Sequence, residues 1–116
     1  MALTLDDLLT MVAVRPAVPV DIPGVGSLWF RHPTFEEWHE VTNACQKLAG
    51  EPPSVALICR TVAIAVSDES GKPLMTQADA RKLTDRDAAA VLKVFNAAVE
   101  NVFAVDDERV AVQEKN

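Results

Sequence analysis

The sequence predicts a mainly α (α+β) fold: a compact helical domain of four to five helices with a small N-terminal β-hairpin. Three observations predict it. Thr4, Thr34, Thr76 and Thr84 are each followed three positions later by a carboxylate and then by an apolar run, the pattern of a capped helix start. The longer runs repeat their apolar residues at i, i+3, i+4 and i+7, the period of a one-sided helix. Two short period-two segments flank Pro23-Gly24, where proline presets φ for the second residue of a turn and glycine allows the positive φ of the third.

Taken in order, Thr4 and Asp7 open a short helix whose apolar face is Leu5, Leu8, Leu9 and Val12, ended by Pro16. Val18, Val20 and Ile22, then Leu28 and Phe30, form the two strands of a hairpin over 18–31. Pro19 cannot donate to a ladder, so its strand belongs at an edge. Thr34 to Glu37 is a full capping box for a helix that Gly50 terminates. Phe35, Trp38, Val41, Thr42, Cys45, Leu48 and Ala49 share one of its faces. Ser54 opens a helix from Val55 to about Val66 with a narrow polar strip of Ser54, Arg60 and Thr61. A helix so apolar around its girth is central to its domain or covered by a partner. The segment from Asp68 to Pro73 is a tight exposed loop. Thr76 caps a short helix to about Leu83, and Thr84 with Asp87 caps a long one to about Phe103. Ala88, Val91, Leu92, Phe95, Ala98, Val99 and Val102 line the apolar face of the latter, with Val94 off it. One domain spans 1–105, and the polar tail at 106–116 has no core pattern and is expected to fray.

Ala and Val supply 33 of the 116 residues, while aromatic residues make up 5% and Tyr is absent. Small side chains bury little area each, at about 25 cal/mol per Å². Modest stability as a monomer follows, with a benefit from burying more surface in an assembly. The net charge of -6 and the scatter of Arg15, Arg31, Arg60, Arg81, Lys82 and Arg86 exclude a phosphate-backbone ligand. Cys45 and Cys59 lack CxxC spacing and fit buried free thiols in a reducing cytoplasm. Asp6 and Asp7 stand where an export signal would carry cations. The longest apolar stretch, Val55 to Val66, is shorter than the roughly 20 residues of a membrane span.

No reactive constellation emerges. His32, Glu36 and His39 suggest metal ligands, but positions seven apart on a helix lie roughly 10 Å apart along its axis, so no metal is expected. Glu36 and Glu37 are explained by capping and the helix dipole, and Asp68 and Glu69 by a solvated loop. Neither cysteine has a setting that lowers its pKa. There is no GxSxG and no phosphate-cradling glycine loop. No catalytic residue and no cofactor are expected, which leaves binding to other proteins.

The candidate contact residues are Leu5, Leu8, Leu9 and Val12 on the first helix, Leu28, Trp29 and Phe30 on the hairpin, and Val94. A short N-terminal helix docks either on its own domain, the commoner arrangement, or on a neighbour. Trp29 alternates away from Leu28 and Phe30, so one of these large groups faces outward unless both sides of the hairpin are covered; tryptophan is favoured at binding hot spots.

The order of parts resembles the tail assembly chaperones of long-tailed bacteriophages. The likeness runs from the hairpin into Arg31-His32-Pro33-Thr34-Phe35-Glu36-Glu37-Trp38 and then an Ala- and Val-rich helix. Val66-Ser67-Asp68-Glu69-Ser70-Gly71-Lys72-Pro73-Leu74, Thr76-Gln77-Ala78-Asp79-Ala80 and Leu83-Thr84-Asp85 continue it over about residues 18 to 103. The resemblance implies a helper in the cytoplasm of the infected host, absent from the mature virion. It implies self-association and binding to the tape measure protein, kept soluble while tail tube protein polymerises around it. It also implies a longer form made by a −1 frameshift, with which the Glu-Lys-Asn ending is compatible. Two other readings are an acidic regulator that occupies a basic nucleic-acid-binding partner, and a minor structural tail protein.

Overall fold

Threonine caps begin three of the helices as their spacing predicts. The structure, a computed structural model, describes residues 3–103. In α1 (Leu5–Met11), α2 (Phe35–Gln46) and α4 (Gln77–Ala80) the cap hydroxyl accepts from the backbone three residues on. The Asp7, Glu37 and Asp79 carboxylates accept in return from the cap amides. In α3 (Val55–Ala65), the Ser54 hydroxyl accepts from the Leu57 amide.

The fourth expected box does not form. Residues Arg81–Asp85 wind into a 3-10 turn, in which the Thr84 hydroxyl donates to the Arg81 carbonyl. The last helix, α5 (Ala88–Ala98), is capped by Asp87 instead and continues through a π-turn at Val99–Phe103. Aspartate caps at least as well as threonine, so the later of two possible starts prevails. α2 also stops before its glycine: the backbone turns left-handed at Ala49 and again at Gly50. The polar tail expected at 106–116 lies outside the described residues.

The hairpin is β1 (Val18–Ile22) and β2 (Gly26–Phe30), with Val18 opposite Phe30 and Val20 opposite Leu28. The Val25 amide donates to the Ile22 carbonyl across Pro23-Gly24, and Gly24 takes φ +83°. A third strand not foreseen in the sequence, β3 (Val66–Ser67), pairs antiparallel with β2, so the order is β1-β2-β3. Val66 was expected to end a helix; it is extended, at φ −73° and ψ 125°. Two residues are too few to display a period, and only pairing with β2 makes them a strand. Pro19 lies on the edge strand, as expected.

α3 occupies the centre, with α2, α4 and α5 packed on it, while β1 leans on α5. The core gathers Phe30, Val41, Val62, Ile64, Phe95 and Phe103. The Trp38 indole N–H donates to the Phe103 carbonyl at 2.8 Å, fastening α2 to the far end of the α5 rod. Among the described residues no helix is long and apolar enough to cross a membrane.

Thr61, read as part of a polar strip, is instead fully buried, and its hydroxyl donates to the Leu57 carbonyl at 2.8 Å. That carbonyl also accepts the ordinary ladder bond of the helix, so the hydroxyl bond is a second one and competes with it. Thr61→Val is therefore expected to change stability by less than about 1 kcal/mol in either direction. Urea denaturation checks this; a loss above about 2 kcal/mol would show that the hydroxyl has a structural role of its own.

Candidate functional site

The N-terminal segment is built by caps and not by packing. Thr4 and Asp7 exchange hydrogen bonds of 3.0 and 3.1 Å. The Thr4 amide and then its hydroxyl hold the Asp7 carboxyl below its ordinary value. Seven residues are too few for a stable helix in water by propensity alone. Every residue from Leu3 to Pro16 is nonetheless exposed. Leu5, Leu8, Leu9 and Val12 keep 69%, 48%, 56% and 66% of their surface in solvent. The commoner arrangement, docking on the same domain, is absent. Leu3, Met11 and Val14 are exposed beside them, so the apolar surface is larger than the four-residue stripe suggests.

The hairpin divides the other candidates. Phe30 points inward and is fully buried, so it meets no partner and is removed from the contact set. Leu28 is half-buried on the same inner face, packed against the core. Trp29 points to the opposite face, with Pro19 and Ser67 across from it in the ladders, and is half-buried. It is the one hairpin candidate on the outer face.

Val94 is also corrected. It packs half-buried against the core, whereas Leu92, assigned to the buried face, is exposed. α5 is covered by α3 on one side and β1 on another, which turns its buried arc away from the simple stripe. Phe35 moves in the same sense: placed on the packed face of α2, it is 80% exposed, its ring tilted 51° against Trp38 with centroids 6.1 Å apart. As the first helical residue it runs past the edge of the core.

Two clefts flank the first turns of α3. One, of about 510 Å³, lies between α3 and the α4 to 3-10 segment, lined by Val55, Cys59, Arg60, Ala80, Arg81 and Thr84 among others. The second, of about 240 Å³, lies toward α5 and includes Val55, Ile58, Leu83, Arg86, Val91 and Leu92. Both floors are apolar.

Several polar groups hold the fold. Arg60 pairs with Glu40 at 2.7 Å and Lys82 with Asp79 at 3.2 Å. The Ser70 hydroxyl, followed by the Lys72 and Ser70 amides, holds the Asp68 carboxyl low. His32 places a ring nitrogen 3.1 Å from the Pro16 carbonyl, which fastens the linker behind α1. Burial pushes the Cys45 thiol up, away from a reactive thiolate. Among the described residues no three His, Cys, Asp or Glu side chains gather as a metal ion requires. No buried side-chain nitrogen or oxygen there lacks a partner. No family model, curated protein or solved structure matches the chain.

Proposed function

We propose that this chain is a tail assembly chaperone of a long-tailed bacteriophage. In this reading it self-associates, binds the tape measure protein and keeps its long apolar helices soluble while tail tube protein polymerises. One observation carries the reading: a capped amphipathic helix holds its leucines in solvent, uncovered by its own domain. Exposed apolar surface of this kind marks a place for another protein. The order of parts from the hairpin to the last helix supports the particular class. Net charge of -6 keeps such a complex in solution, and weak individual contacts gain strength through multivalency.

The carboxylates speak against the decoy reading. Asp7, Glu37, Asp79 and Asp87 cap helices, Glu40 pairs with Arg60, and Asp68 closes a turn. These six serve the fold, which leaves them poorly placed to imitate a nucleic acid.

Co-expression with the tape measure protein tests the proposal. The tape measure protein is expected in the soluble fraction, bound to this chain, and in the pellet without it. A tape measure protein that stays insoluble in both cases, or abundant copies of this chain in purified virions by mass spectrometry, would remove the chaperone role.

A further inference from the structure

We infer that the paired clefts around the first turns of α3 receive α1 of a second copy of this chain. The two clefts share Val55, Cys59 and Thr84 and so form one surface wrapping the start of α3. The charged residues lining it are Arg60, Arg81 and Arg86, and no carboxylate lines either side. Arg60 is paired with Glu40, which leaves Arg81 and Arg86 to set the sign of the lining in a chain with 17 acidic residues against 11 basic ones. Arg81 and Arg86 are exposed and form no ion pair among the described residues. The surface therefore suits an apolar ligand that carries negative charge.

α1 has that chemistry. Leu5, Leu8, Leu9 and Val12 make its apolar stripe, and Asp6 and Asp7 stand in its first turn. A second copy fits better than the same chain. Pro16 is held at His32, next to Arg31, whose amide bonds the Ala65 carbonyl at the far end of α3. An 11-residue helix is about 16 Å long. The five peptide steps from Met11 to Pro16 reach about 17 Å when fully drawn out. Docking within one chain would hold that linker near its limit, whereas a neighbouring copy meets no such restraint.

The donor helix and the receiving cleft are different surfaces, so a contact made in one direction only is head-to-tail and propagates into a ring or a filament. A helix this short with its flanks covers roughly 1,000 Å² summed over both partners, the lower edge of specific interfaces. Each contact is weak and reversible. The inference rests on the self-association in the chaperone reading and specifies its geometry.

Complementation between two variants of the full chain tests it. Leu8→Asp with Leu9→Asp spoils the donor and leaves the cleft; Val55→Asp with Leu92→Asp spoils the cleft and leaves the donor. All four positions are exposed, and circular dichroism confirms that each variant folds. In sedimentation velocity over a concentration series the unaltered chain is expected to form large species, while each variant alone stays monomeric. An equimolar mixture of the two variants is expected to give a heterodimer and nothing larger. Variants that assemble like the unaltered chain would overturn the inference. So would a mixture that stays monomeric, or an unaltered chain that is monomeric throughout. Tape measure co-expression with the donor variant separates the two readings: assembly unchanged with the tape measure protein still solubilised removes this interface and leaves the chaperone role standing.

Discussion

Phe30→Ala is expected to cost about 4 kcal/mol of folding stability, within the range for deleting a buried aromatic ring. Phe30 is fully buried on the central strand β2 and packs in the same cluster as Val41, Val62, Ile64 and Phe103. Its neighbours are mostly small aliphatic groups on fixed helices and strands, so the space left by the ring does not close easily. A domain of this size has about 5–15 kcal/mol in total, so a loss of about 4 kcal/mol removes a quarter or more of it and brings a chain at the lower end of that range close to unfolding. Phe35→Ala provides the contrast. That ring is 80% exposed and its one aromatic neighbour is Trp38, so the expected loss is about 0.5–1 kcal/mol. Thermal and urea unfolding of the two variants measure the difference directly. Similar losses for both, or a loss below about 1.5 kcal/mol for Phe30→Ala, would contradict the packing described.

The two phenylalanines also mark how far the sequence could be read. Both lie in correctly expected elements, and both were assigned the wrong environment. Alternation separates Phe30 from Trp29, but it does not say which face of a hairpin the helices cover. Helical period puts Phe35 in line with Trp38 and Val41, but it does not say where the core ends beneath the stripe. Local signals were the readable ones. Thr4, Thr34 and Thr76 cap their helices because a hydroxyl and a carboxylate three residues apart satisfy each other's backbone without any tertiary help. Pro23-Gly24 makes its turn for a similar reason. Val66 and Thr84 escaped because each is decided at a distance or by competition. Val66 is a strand only through its pairing with Phe30, and Thr84 gives way to Asp87 at the start of α5. The amphipathic face of α1 was plain in the sequence; that its own domain leaves it uncovered was not, because no periodicity names the occupant.

Arg31 is the second position where a large effect is expected, because it ties three elements at one point. Its backbone amide donates to the Ala65 carbonyl at 2.9 Å. Its guanidinium donates to the Ile64 carbonyl at 2.7 Å and to both Glu37 carboxylate oxygens at 2.8 and 3.3 Å. Ile64 lies in the last turn of α3, whose carbonyls have no helical partner, and a cation there also complements the helix dipole. Glu37 is at once the capping-box carboxylate of α2. Arg31→Ala leaves a partly buried carboxylate and a helix-end carbonyl short of donors, and is expected to cost about 3 kcal/mol. Arg31→Lys restores the charge but not the planar fork, so it should recover only part of that loss. The sign with pH follows from Glu37. Burial pushes its carboxyl up, but the Arg31 guanidinium and the Thr34 amide and hydroxyl outweigh burial and hold it below its ordinary 4.5. A carboxylate whose folded pKa lies below its unfolded one stabilises fully above the unfolded value and loses that contribution as pH falls through the folded one. The gap in stability between the unaltered chain and Arg31→Ala should therefore be widest at neutral pH and narrow as pH drops below 4.5. Urea midpoints for both chains at pH 7 and at pH 3 decide it. A gap that stays constant, or one that lysine closes completely, would show that this corner is held by something other than the Arg31–Glu37 pair.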